Sequence, residues 1–377
     1  MKILSQEELR NIVVNLCTRC GFCNTICPIY NTLNRLEVRG PRGRVILLKG
    51  VCEDIFEFRD LLEELYTCAL CGGCLIKCPA GIDVPSLVLS ARKILSEKGT
   101  APNPVLRLVR NVLKTGNIFG FEENSSAQGE KRGDILYWRG CMMSYRLPGL
   151  SEIQLKLISS LDYSVCTVSE VCCGSPLILA GFIDEAKKLA EKIVKTLSEI
   201  NPSALVTGCP SCFHTLKYLY PEVLGIELPT RILHISQLLK ESLDRIKIEP
   251  VSVKNIAYHD PCELARHCGV IEEPRAVLEK FGYRIVGPTK QGLESTCCGG
   301  GGLMWGLFTD LAIETASRKI TNEILPLKVD TLVTACPVCL INFKYASILK
   351  GFNLNVLDLC EIVSNRLANS REYSWRL

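Results

Sequence analysis

CTRCGFCNTICP (17–28) and CALCGGCLIKCP (68–79) share one spacing, C-x-x-C-x-x-C-x-x-x-C-P. In each, four thiols and a closing proline sit on one short loop, so both loops must wrap something small. The chain has 22 cysteines in all. Its start, MKILSQEELRN, turns polar and acidic at once and has no secretory apolar stretch. The expectation is a reducing compartment, where cysteines seldom build a disulfide framework. Metal is the better reading, and the chain is expected in the cytoplasm, free or peripheral on the inner face of the membrane. The longest apolar runs, such as PLILAGF (176–182), fall well short of the ~20 residues of a spanning helix.

The spacing is the iron–sulfur form, in which the fourth cysteine ordinarily serves the other cluster. By that rule Cys17, Cys20 and Cys23 combine with Cys78, and Cys68, Cys71 and Cys74 with Cys27. Two cubane 4Fe–4S clusters so interlocked make a short wire for single electrons. Pro28 and Pro79 close the loops, while Gly21, Gly72 and Gly73 allow close backbone approach with N–H groups free for sulfur. Two structural zinc sites are the alternative, against which the doubled spacing argues.

With 377 residues, 47% of them hydrophobic, the chain can fill two or three domains. A net charge of +4, with both signs interspersed, leaves no nucleic-acid footprint. Ser5 and Glu8 form a capping box opening a helix up to Cys17. Helices are expected over 44–55, over 59–66 and after Pro85. The stretch 115–133 is Gly-, Ser- and charge-rich and reads as a linker between a helical domain, 1–114, and the remainder of the chain.

Beyond it, short β-branched runs alternate with amphipathic helices, the pattern of α/β modules. DILYW and ALVTG read as strands flanking a helix whose face is Phe182, Ala186, Leu189, Ile193 and Leu197. NIAYH and TLVTA repeat the order around Ile313, Ala316, Ile320 and Ile324. Cys141, Cys172–Cys173 and Cys209/Cys212 return as Cys262, Cys297–Cys298 and Cys336/Cys339, offset by 121, 125 and 127 residues. LVTGCPSC matches LVTACPVC, so the chain is internally duplicated, with modules over 134–250 and 251–377. The fold class is therefore α+β and multi-domain: a helical two-cluster domain, then duplicated α/β modules. Each module has five cysteines where a cubane cluster or a zinc takes four. Adjacent cysteines chelate one iron poorly, which hints at an unusual cluster.

CCGSP…CPSC and CCGGGG…CPVC resemble the duplicated cysteine-rich CCG domain found in the B and D subunits of heterodisulfide reductase. Iron–sulfur subunits of glycolate oxidase and anaerobic glycerol-3-phosphate dehydrogenase share it. GPRGRVILLKG (40–50) and YTCALCGGCLIKCPAGIDV (66–84) are similar to their helical ferredoxin domain, and YHDPCELARHCGVIEEPR (258–275) resembles the D subunit most closely. The resemblance implies a non-cubane 4Fe–4S cluster on each five-cysteine set, the pair sharing the halves of a disulfide. Spacing alone leaves zinc or a simpler cluster open in one module.

Cys52, Cys166, Cys268 and Cys360 lie outside the motifs; Cys52 and Cys166 read as core, and Cys268 as core more readily than as a neighbour of Cys262. The run CCGGGGLMWG lacks the third glycine of a dinucleotide loop, and no flavin or nicotinamide site is visible. His259 and His214 adjoin the motifs as proton-donor candidates, with loop-fixing histidines as the plainer reading. The terminal REYSWRL suits a partner or a membrane interface, or simply a frayed tail. Two functions stay open. One is disulfide reduction at the CCG pair, fed by a membrane cytochrome b or another donor. The other is a relay from a flavoprotein dehydrogenase to a quinone-reactive membrane pathway. Either way a hetero-oligomer is expected.

Overall fold

The computed structural model describes residues 1–122, 133–169, 171–246 and 252–367. The N-terminal part is helical. Ser5 and Glu8 close the expected capping box on Gln6–Asn11, and wider turns over Ile12–Leu16 carry the chain to Cys17. The helix expected over 44–55 is Pro41–Cys52: Pro41 fits its first turn, where no N–H is needed, and the chain leaves the helix before Asp54, at φ +58°. The segment 59–66 splits into Phe58–Leu61 and Leu62–Tyr66. Val84–Glu97, capped by Asp83, is buried along most of its length, and Asn103–Thr115 follows it.

Each duplicated part is a four-stranded, all-parallel sheet. The first holds β1 (Ile135–Tyr137), β2 (Val165–Cys166), β3 (Ala204–Thr207) and β4 (Arg231–His234), in the order β2-β1-β3-β4. The second holds β5 (Lys254–His259), β6 (Tyr283–Ile285), β7 (Thr331–Thr334) and β8 (Asn355–Asp358), in the order β6-β5-β7-β8. The registers agree: Leu136 faces Leu205, and Tyr258 faces Val333. β1, β3 and β7 are buried along their whole length, as parallel strands covered on both faces should be. The helical face of Phe182–Leu197 lies on Ile183–Ile200, and Ile313–Ile324 spans Thr309–Lys319 and the wider turns after it.

The strand order reverses between β1 and β3, and again between β5 and β7. Parallel α/β sheets bind ligands in the crevice this opens beyond the strands' carboxyl ends. Cys141 follows β1 and Cys209 follows β3; Cys262 follows β5 and Cys336 follows β7. Topology therefore carries each five-cysteine set to its own switch point.

Helices pair the modules reciprocally. Ile235–Glu241 packs on Glu272–Lys280, and its repeat equivalent Leu359–Ser364 packs on Pro148–Ser159. The helical domain is bolted to both by Arg92. Its buried guanidinium donates to the carbonyls of Leu65 (2.8 Å) and Cys68 (2.9 Å), to Leu179 (2.7 Å) in the first module and to Gly302 (3.3 Å) in the second. Within 115–133, residues 116–121 pack on the first module: Gly116 accepts from the Cys172 N–H (2.6 Å), and buried Asn117 bonds Phe119 and Phe121. Residues 123–132 and the REYSWRL tail lie outside the described residues.

Candidate iron–sulfur sites and the cleft beside them

Two small cavities lie in the helical domain. Cys17, Cys20, Cys23 and Cys78 line the first, and Cys27, Cys68, Cys71 and Cys74 line the second. The charges follow the same division. Burial raises the Cys23 thiol to about 11, with Cys78 and Cys17 adding to the rise. Burial likewise raises Cys27 to about 11, with Arg44 working against it and Cys71 and Cys68 with it. Four soft donors around one space, with Cys23 and Cys27 held protonated by burial and by neighbouring thiols, suit a cation that displaces the protons. Backbone donors are in place as well. The Phe22 N–H leads the groups that lower the exposed Cys20 thiol, and the Ile82 N–H bonds Cys78 Sγ at 3.3 Å. Gly21 sits at φ +86°, where a side chain is strained, and a Cβ there would also push on the Arg42 guanidinium 2.7 Å away.

In the second module the Cys262 and Cys297 sulfurs are 3.7 Å apart, and those of Cys298 and Cys339 are 3.2 Å apart. Cys336 completes a wholly buried set. The Gly299 N–H bonds Cys297 Sγ (3.3 Å) and the Gly300 N–H bonds Cys298 Sγ (3.5 Å), so the glycine run is a sulfur cradle. In the first module, hydrogen bonds with Cys141 and Cys173 push the Cys172 thiol well up, and those with Cys173 and Cys209 do the same to Cys212. All five of its cysteines therefore converge.

The sets also touch their surroundings. Cys71 of the helical domain is pushed well above the usual thiol range, first by a hydrogen bond with Cys297 and then by burial. Arg266 clamps that junction, its Nε donating to the Cys71 carbonyl at 2.6 Å. At Cys336, the Cys339 hydrogen bond works down and burial works up, and Cys209 of the other module adds to the rise. The two five-cysteine sets are thus neighbours.

A cleft of about 710 Å³ opens beside them. All five cysteines of the first module line it, and Gly300, Gly301 and Gly302 of the second form part of its wall. Leu108, Phe119, Leu179, Leu303 and Trp305 make it largely apolar, and Arg107 and Arg146 add positive charge. The residues that line the cleft were not legible in the sequence, because its walls come from segments far apart along the chain.

His259 stands with Cys298 and Cys339, their ligand atoms within 4.8 Å of one another, and burial lowers its pKa. His214 is buried and stacks on His267 at 4.9 Å; its Nδ1 lies 3.9 Å from Glu263. His267, which the motifs did not point to, fixes the second ferredoxin loop through the Leu70 carbonyl (2.9 Å). Cys166 and Cys360 are core, Cys52 is half-buried, and the Cys268 carbonyl accepts from Tyr218 at 3.4 Å.

A helical pair of interlocked thiolate loops, joined to duplicated five-cysteine α/β modules, defines an iron–sulfur electron-transfer protein. Residues 13–82 match the 4Fe-4S dicluster domain, and 135–217 and 256–344 match the cysteine-rich domain CCG. The chain is 28% identical to the D subunit of dihydromethanophenazine:CoB--CoM heterodisulfide reductase from Methanosarcina acetivorans, over 94% of either chain. It is 30% identical to the B subunit of fumarate reductase (CoM/CoB) from Methanothermobacter marburgensis, over 92% of this chain and 71% of that one. A hypothetical protein from Helicobacter pylori shares the fold, with a TM-score of 0.60 at 9% identity, over 97% of this chain and 76% of that one. The chain belongs to the family of the heterodisulfide reductase D subunit and related CCG-domain proteins, and is an iron–sulfur oxidoreductase subunit.

Proposed function

We propose that this protein receives electrons at its ferredoxin end and reduces a disulfide in the cleft beside the two five-cysteine sets. The cleft carries the reading. It is large enough for a small organic disulfide, all five cysteines of one set open onto it, and the loop after Cys297–Cys298 walls it. Its apolar lining would exclude water, and Arg107 and Arg146 suit an anionic group on the substrate.

Cys17, Cys20, Cys23 and Cys78 hold one 4Fe–4S cluster, and Cys27, Cys68, Cys71 and Cys74 hold the other. Cys141, Cys172, Cys173, Cys209 and Cys212, and their equivalents Cys262, Cys297, Cys298, Cys336 and Cys339, each hold a non-cubane four-iron cluster. Zinc or a simpler cluster in one module is the alternative. Bound, these groups pass single electrons and offer iron to substrate sulfur. His259, grouped with Cys298 and Cys339, and His214, two residues after Cys212, are the candidates for moving the two protons that the product thiolates take up.

Cys20 is exposed, and Phe22 (62%) and Leu16 (51%) near it offer a partner apolar surface at the electron-receiving end. That partner is a membrane cytochrome b or a flavoprotein dehydrogenase, which makes the protein part of a hetero-oligomer at the inner face of the membrane. Among the described residues no helix is long and apolar enough to cross a membrane. In the relay alternative, electrons pass from such a dehydrogenase to a quinone-reactive subunit and the cleft takes no substrate.

Metal analysis of anaerobically prepared protein should give about sixteen irons per chain, four for each set. Zinc near two equivalents with iron near eight would remove the non-cubane assignment. Cys27→Ser should disturb the spectrum of the second motif's cluster; a change confined to the first would reverse the ligand assignment. Added thiol should produce a new paramagnetic signal from the CCG modules. If a range of thiols leaves them untouched, the relay alternative holds.

A further inference from the structure

Each module carries one more buried group that faces its cysteines and has no oxygen or nitrogen to bond. Trp138 directly follows β1, and His259 ends β5. They are 121 positions apart, the offset of Cys141 and Cys262, and so are repeat equivalents. Trp138 is 2% exposed and His259 1%. Neither the indole Nε1 nor either imidazole nitrogen has an oxygen or nitrogen partner among the described residues, and Cys298 is the side chain that acts on the imidazole as a hydrogen-bonding neighbour. An unsatisfied buried polar group costs about 1–3 kcal/mol, and here that cost recurs at one position of a duplicated fold.

Both groups look at the same corner of their sites. A carbon built on Gly140 would lie 2.8 Å from Cys212 Sγ and 3.9 Å from Trp138 Nε1, so the indole edge borders the space in front of that sulfur. The His259 ring, held edge-on by Phe343 at 4.9 Å and 82°, faces Cys298 and Cys339. Cys339 is the repeat equivalent of Cys212.

We propose that Trp138 and His259 are matched N–H donors to the sulfurs of the two CCG sites, and that the exchange of indole for imidazole makes the two sites inequivalent. The proposal rests on the reading that each five-cysteine set holds a cluster. An indole nitrogen only donates, whereas an imidazole donates through one nitrogen and keeps a lone pair on the other. Donors to cluster sulfur stabilise the more negative, reduced form and raise its potential. Removing a donor should therefore make its own cluster harder to reduce and leave the other alone.

The test is a redox titration of the full, iron-loaded chain, followed by paramagnetic resonance, for wild type, Trp138→Phe, His259→Leu and His259→Gln. Trp138→Phe keeps an aromatic ring, though a smaller one, and loses the N–H. At a fixed potential its first-module cluster should show a reduced-to-oxidised ratio about tenfold lower, a fall of about 59 mV for one electron. The second-module cluster and both ferredoxin clusters should not move. His259→Leu should do the converse, and His259→Gln, which restores an N–H, should recover most of the shift. Unchanged midpoints in fully loaded variants overturn the proposal. So does loss of that module's iron alone, which would make the residue a ligand or a prop. Wild type lacking iron in a five-cysteine set would instead refute the reading underneath.

Discussion

The two five-cysteine sets descend from one repeated plan, yet their surroundings differ. In the first module Cys141 is half-exposed and the whole set opens onto the cleft. In the second all five cysteines are buried, Cys297 meets Cys71 of the ferredoxin domain, and Arg266 and His267 hold the two together. The switch points of equivalent sheets place the same thiols in both. The docking of the helical domain leaves the first set lining the cleft and the second set against Cys71. Duplication thus supplied two similar sockets, and asymmetric docking gave them different neighbours.

The sharpest way to break this comparison is to disable one socket. Cys172→Ser should abolish the thiol-induced paramagnetic signal while both ferredoxin clusters stay reducible. Cys297→Ser should instead stop reduction of the CCG modules from the ferredoxin side. The reverse pattern would exchange the two roles.

Docking comes next. Gly302 sits at φ +61°, and a Cβ there would lie 2.5 Å from the Ala69 carbonyl carbon and 2.6 Å from the Cys68 oxygen. Gly302→Val should lower unfolding free energy by about 3–5 kcal/mol in a denaturant titration, through strain and overpacking together. Gly225→Ala, at φ +68° with open space around it, should cost only about 1 kcal/mol. Equal losses would mean that the seam is loose.

A smaller effect separates the ends of β4 and β8. His234 and Asp358 occupy equivalent capping positions, each accepting from the backbone two residues on. Burial lowers His234 to about 4 and raises Asp358 to about 7. A histidine held neutral costs stability as pH falls from about 6.5 to about 4, where only the unfolded chain takes the proton. A carboxyl held protonated costs stability as pH rises from about 4 to about 7, where only the unfolded chain releases it. His234→Asn should therefore gain on wild type near pH 4, and Asp358→Asn near pH 8, each by on the order of 2 kcal/mol. Thermal melts across that range should show slopes of opposite sign; parallel slopes would contradict the burial argument. The smallest effect is at the surface. Phe22→Ser should stay within about 0.5 kcal/mol in stability yet weaken reduction by the partner, and undiminished reduction would move the docking site elsewhere.

Much of this was legible in the sequence, because the ferredoxin loops are local: four thiols and a proline within twelve residues declare their purpose wherever the helices end. The duplication was legible for a similar reason, since strand, cysteine and offset recur together. Helix bounds shifted where proline could take a first turn, as at Pro41. The apolar lining of the cleft was hidden because Leu108, Phe119, Leu179 and Trp305 meet only after three parts of the chain dock. Trp138 was hidden too, since a tryptophan at a strand end reads as core until its N–H proves to lack a partner. Arg92 reads as a surface charge on a helix and is in fact buried.

That arginine bears on how the protein comes into being. Burial lowers it to about 10, with Tyr66 and Cys68 opposing the fall. Its carbonyl partners lie near residues 65–68, 179 and 302. A ribosome delivers those segments in order, and at ~5–20 residues per second the last emerges many seconds after the first. Through that interval the guanidinium has only its local partners at Leu65 and Cys68, and its other N–H groups must stay hydrated. The carbonyl shell around Arg92 is therefore complete only after residue 302 has emerged and all three parts of the fold have met.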